Sequence, residues 1–199
     1  MSTVSTPIAG HGGGQVRRNT RLSNGLLGVI FFLCSEVAIF GSLIFAYLYL
    51  RHAQPHWPPP GVEKPALALG AANAVILLSS SVWCHFAEQA IARGQQARML
   101  FWLALTIIFG STFVGIQAFE YHRLNTAINK DIFGATFFTL TGLHGAHVSL
   151  GVLAWLTIFI LGLRGRWTKE HHFPLNGVSL YWHFVDGVWV ILFTIFYIF

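Results

Sequence analysis

Apolar residues fall into five long runs, roughly 25–50, 65–90, 97–121, 132–163 and 176–199, with short polar stretches between them. Each run can cross about 30 Å of hydrocarbon at about 1.5 Å rise per residue, so the pattern predicts an all-α bundle of five transmembrane helices. The breaks carry loop chemistry. RHAQPHWPPPGVEKP contains a Pro triplet that cannot continue a helix and predicts an extended connection. ARGQQAR is short enough to make the helices on either side antiparallel neighbours, while HRLNTAINKD and RGRWTKEHHFPLN carry Asn, Gly and Pro punctuation. Residues 1–24 are polar, Gly-rich and without an acidic side chain. They fit a transit peptide in composition, but the run that follows is too long for a signal-peptide core. They are read as a flexible cytoplasmic tail, leaving 25–199 as one transmembrane domain.

Composition agrees with this pattern. The 199 residues are 54% hydrophobic and only 10% charged, with a mean hydropathy of +0.60. A soluble core-and-shell domain needs more polar surface. The net charge of +5 would suggest nucleic acid in a soluble protein. Here the basic residues sit in loops, where they act as topology signals, and no nucleic-acid partner is expected. Of the 12 Lys and Arg, eight fall on one side (Arg17, Arg18, Arg21, Arg93, Arg98, Arg164, Arg166, Lys169) and four on the other (Arg51, Lys64, Arg123, Lys130). That bias predicts a cytoplasmic N-terminus and a C-terminus outside, in a multi-pass protein of a bacterial plasma membrane. Cys34 and Cys84 lie far apart in apolar runs with no CxxC or CxxCH spacing, so neither a disulfide framework nor a covalent haem site is implied.

Small residues four apart let helices approach closely in lipid. The second run has Ala68 with Ala72, Gly70 with Ala74, and then Ser79, Ser80 and Ser81; the fourth has Gly142 with Ala146 and Gly145 with Ser149. Most of these positions read as packing.

The polar residues inside the runs carry the candidate chemistry. Glu36 and Asp186 fall well within spans, where a central Asp costs about 2.5–3.5 kcal/mol on insertion scales, so each should face protein or a polar cavity. Glu36 has no basic residue in its own span. It is either a proton-handling group or a neutral acid hydrogen-bonded to Ser35, Ser42 or another helix. His183 and Asp186 are three apart on one helix face, and a carboxylate accepting the imidazole N–H would make a single polar knot of the two. His144 and His147 also share a face, which fits internal packing, metal binding, or axial haem ligation together with His183. His85, Glu88 and Glu120 lie in or near the membrane, and His171 and His172, beside Glu170, read as solvated or subunit-contacting.

Four motifs, in order along residues 25–199, are familiar together: SEVAIFGSLIFAY at 35–47, FEYHR at 119–123, GATFFTLTGLHGAHVSLG at 134–151 and YWHFVDGVW at 181–189. They closely resemble subunit III of the haem-copper oxidases, of the cytochrome c oxidase type. The resemblance implies an accessory subunit without redox centres of its own, packed against catalytic subunit I, which holds the haem and copper, and against other oxidase subunits. It implies a buried Glu36 and internal structural positions for His144, His147, His183 and Asp186; Glu120 and His85 are read with these histidines and Asp186 as a structural polar network. It further implies bound phospholipid, support for proton uptake and durability of the catalytic subunit, and an oxygen entry route.

The familiar form of that family has seven helices, and this chain resembles the five-helix version lacking the first two, which puts the lipid cleft of the longer form in question. Quinol oxidases also have five-helix versions; YWHFVD and HHF are nearer the cytochrome c type. An independent membrane haem or metal protein using His144, His147 and His183 is a second reading. A transporter lined by Glu36 and Asp186 is a third, although five helices offer no internal repeat.

Overall fold

The computed structural model describes residues 24–62, 64–124, 126–167 and 173–199, and these contain five helices: α1 (Asn24–Ala53), α2 (Leu67–Ala92), α3 (Gln96–Arg123), α4 (Ile132–Leu163) and α5 (Phe173–Phe193). A wider π turn, Thr194–Ile198, continues α5. All five are long and apolar enough to span a membrane. The predicted tail, and Lys169 to His172 with it, lie outside the described residues.

Local chemistry sets the helix ends. α2 and α4 both stop at an Arg-Gly pair. Gly94 (φ +72°) and Gly165 (φ +70°) adopt the left-handed conformation that closes a Schellman motif. The Gly94 and Gln95 amides donate to Ile91 and Ala90 at 2.8 and 2.9 Å, and those of Gly165 and Arg166 to Gly162 and Leu161 at 2.9 and 3.2 Å. At the start of α4, Asp131 caps the helix by accepting the Gly134 amide at 2.6 Å. α5 is already helical at Phe173, where its described residues begin, three residues before the expected 176.

The Pro-rich connection is not extended, as its composition had predicted. Its Trp57–Pro58 peptide bond is cis, Gly61 has φ +86°, and the Val62 amide donates to the Pro59 carbonyl at 3.1 Å, so the segment folds back. The reason is Trp57. Its indole N–H donates to Tyr47 Oη at 3.2 Å, and its ring lies 5.8 Å from that of Phe133.

α2 packs most extensively on α3, with α4 and α5 completing a compact four-helix core, while α1 meets α4 and α5 sparingly. Trp182 of α5 is fully buried between two glycines, Gly110 of α3 and Gly151 of α4. A Cβ at either position would lie 2.8 or 2.6 Å from the indole. Gly70 likewise yields to the ring of Tyr197, which a Cβ would meet at 2.3 Å.

The small-residue ladders are therefore used selectively. Gly70 and Ala74 are buried, whereas Ala68 and Ala72 face outward. On α4 the close approach is at Gly151; Gly145 has open space around it and Ala146 is exposed.

Candidate functional site

α1 buries only Glu36, Phe40 and Tyr47, all on the one side it turns to the bundle. Glu36 Oε2 meets His147 Nε2 of α4 at 2.9 Å, so of the partners open to it the acid takes one on another helix. Ser35 and Ser42 instead donate to the carbonyls of Phe32 and Ile39 on their own helix, at 2.6 and 2.8 Å. His147 Nδ1 lies 2.8 Å from the carbonyl of Leu143. A carbonyl can only accept, so Nδ1 carries a proton. One proton then lies between Nε2 and Oε2, on either atom, and the pair is neutral overall in both arrangements. The bond gives each group a partner for its burial. Phe40 packs edge-on against the imidazole at 5.1 Å, and Tyr181 Oη donates to the His147 carbonyl at 2.9 Å.

His183 and Asp186 do not bond to each other as expected. Ser81 of α2 stands between them: its Oγ is 2.8 Å from His183 Nδ1 and also contacts Asp186 Oδ2. Residues three apart on one helix share a face, but their side chains diverged to reach a third group on the facing helix. Asp186 is buried and its Oδ1 has no hydrogen-bond partner among the described residues, while His183 is exposed on the bundle surface.

His144 sits one turn from His147 in an unrelated setting. It is fully buried, stacked on Trp189 at 5.0 Å and met edge-on by Phe113 at 5.7 Å, with neither ring nitrogen hydrogen-bonded among the described residues. Glu120 of α3 accepts from Tyr197 Oη at 2.5 Å. It borders a cavity of about 130 Å³ shared with Lys64 and Arg123. His85 is exposed on α2, 2.9 Å from the Gln89 side-chain nitrogen and 3.8 Å from the Glu88 carboxylate. The candidate polar residues thus form separate knots, not one connected network.

Among the described residues no three His, Cys, Asp or Glu side chains are gathered so that they could hold a metal ion. His144, His147 and His183 turn to three different neighbours.

Sequence reasoning passed over Ser81, Tyr197 and Tyr47. Ser81 had looked like packing. Tyr47 Oη donates to the Ile195 carbonyl at 2.9 Å and so ties the far end of α1 to α5. The signal for such residues is a buried phenol or hydroxyl that must find a partner.

A model of the family described as Cytochrome c oxidase subunit III matches residues 7–199. The chain belongs to the cytochrome c oxidase subunit III family. It is 37% identical over 174 residues to cytochrome c oxidase subunit 3 of Synechocystis sp., covering 87% of this chain and 75% of that one. Identity to the Thermostichus vulcanus protein of the same name is 38% over 174 residues, covering 87% and 86%. The Loxodonta africana subunit 3 is 37% identical over 176 residues, covering 85% of this chain and 67% of its own length. As a subunit III of that family the chain is a multi-pass membrane protein of an oxidoreductase complex, with other oxidase subunits as partners. These relatives bear the cytochrome c oxidase name, which does not favour the quinol-oxidase alternative.

Proposed function

We propose that this chain is the non-redox subunit III of a proton-pumping cytochrome c oxidase in a bacterial plasma membrane, bracing catalytic subunit I and supporting its proton uptake, and not itself catalytic. One observation supports the bracing role most directly. The intramembrane imidazoles are each spent on a different local contact: His147 on Glu36, His183 on Ser81, and His144 on the Trp189 ring. Such side chains register helices against one another. On this reading the N-terminus lies in the cytoplasm, the haem and copper of O2 reduction belong to the partner subunit, and this chain contributes a rigid flank. An apolar groove of about 440 Å³ between α1, α4 and α5, lined by Val29, Phe32, Leu150 and Val178 among others, has the chemistry to take a phospholipid acyl chain.

Native purification in mild detergent tests the proposal. The chain is expected to travel with a haem-copper polypeptide and, once dissociated, to show no stoichiometric Soret band. A Soret band on the isolated chain, or a stable particle free of other oxidase subunits, would overturn it.

A further inference from the structure

The exposed surface of a transmembrane helix is normally a surface that lipid can cover. The exposed hydroxyls of Ser35, Ser42, Thr112 and Thr157 meet that condition by donating to carbonyls of their own helices. The His183 imidazole does not: its Nδ1 meets Ser81 of α2 and makes no bond to a carbonyl of its own helix. His183 lies about nine residues beyond Pro174, where the α5 apolar segment begins, which is about 14 Å along the helix and near mid-membrane. It is exposed, and its Nε2 makes no hydrogen bond within the described chain.

The Ser81 contact fixes what that nitrogen offers. Ser81 has a single hydroxyl proton, so it donates either to Asp186 or to His183, never to both. If it donates to Asp186 Oδ2, His183 Nδ1–H donates to Ser81, and Nε2 is a bare acceptor in the neutral ring or an N–H donor in the protonated one. If Asp186 is protonated and donates to Ser81, then Ser81 donates to Nδ1, and Nε2–H faces outward as a donor. Either way one hydrogen-bonding valence points out of the bundle at a depth where acyl chains cannot meet it. The stripe does not end there. His85 is exposed on the adjoining face of α2, with Glu88 half-buried beside it, and both lie within electrostatic reach of His183.

We propose that the α2–α5 face around His183, Ser81, His85 and Glu88 is the docking surface for a transmembrane segment of another oxidase subunit, one that places a hydrogen-bonding side chain opposite His183 Nε2. The inference rests on the accessory-subunit reading above, since it requires a partner in the membrane. It adds which face is covered and by what chemistry. A partner group that donates requires a bare Nε2, and through Nδ1–H it then fixes the Ser81 hydroxyl on Asp186.

The test uses the intact oxidase in native membranes. Leu180, exposed one turn before His183, is replaced by p-benzoylphenylalanine and irradiated. The expected product is an adduct to a transmembrane peptide of another oxidase subunit, identified by mass spectrometry as carrying a polar residue at the cross-linked level. In parallel, His183→Leu should lower the amount of chain retained with the complex in mild detergent about tenfold, and His183→Gln, which restores a hydrogen-bonding group, should recover most of it. An adduct only to lipid or to a second copy of this chain overturns the proposal, as does full retention of His183→Leu. If instead the unaltered chain purifies with no other oxidase subunit, it is the accessory reading itself that fails.

Discussion

At the scale of single residues, two histidines one turn apart carry opposite expectations. His147 is bonded through both nitrogens, to Leu143 and to Glu36, whereas His144 is bonded through neither and contributes a ring to an aromatic stack. Removing one partner of a satisfied buried pair strands the other, at about 1–3 kcal/mol. Replacing an unbonded buried polar ring by an apolar one of similar shape is close to neutral. His147→Leu is therefore expected to lower the denaturation midpoint of the purified complex clearly, while His144→Phe leaves it within about 1 kcal/mol of wild type. Equal losses in the two variants would show that His144 has a partner this chain does not supply. Glu36→Gln separates shape from ionisation. Its amide can donate to His147 Nε2, so assembly and midpoint should hold; loss of the complex would mean that the acid proton itself is needed. Tyr197→Phe removes the hydroxyl that Glu120 accepts from and should cost about 1–3 kcal/mol by the same measurement.

At the scale of elements, the helices were legible because hydrophobic run length and loop punctuation are local properties, and α4 spans 132–163 as its sequence predicts. The contacts between helices were less so. Four-residue spacing marks where a backbone is able to approach another, and Gly145 and Gly151 look alike in sequence, but only Gly151 faces a side chain that needs the room. The same gap explains Ser81: nothing in its neighbours announces that His183 and Asp186, more than a hundred positions away, converge on it. The Glu36 partner, left open between its own helix and another, is settled only once α1 and α4 are juxtaposed. The difference between the glycines is measurable. Gly151→Ala drives a methyl into Trp182 and should destabilise the bundle by about 1–3 kcal/mol. Gly145→Ala meets nothing and should be neutral or stabilising by up to about 1 kcal/mol, as expected for Ala over Gly within a helix. Thermal denaturation of the two variants side by side decides it, and a destabilised Gly145→Ala would contradict the packing described.

At the scale of the whole molecule, α1 stands apart from the other four helices. Lipid is as apolar as the helix it surrounds, so burial alone gives α1 little reason to stay, and its attachment must rest on specific contacts. Among the described residues they include the Glu36–His147 bond near its middle, Phe40 packed against His147 and Phe184, and, at its far end, the Tyr47 hydroxyl on the Ile195 carbonyl, the Tyr47 ring on Phe196 and Arg51 on the Phe199 carbonyl. The first of them is the interhelical bond that fixes how α1 sits on α4. The chain contains its own probe of this arrangement, since Cys34 is exposed on α1 and Cys84 is buried, so a nitroxide reagent should label Cys34 selectively. With a second label on Thr157→Cys, exposed on α4, the wild-type background should give one narrow inter-label distance distribution by pulsed electron spin resonance. Adding His147→Leu should broaden that distribution and move its centre outward, because the carboxylic acid left behind has no donor or acceptor to hold it. Adding Glu36→Gln should leave it narrow. A distribution unchanged by His147→Leu would mean that Phe40, Tyr47 and Arg51 hold α1 without it, and that the buried acid serves some purpose other than attachment.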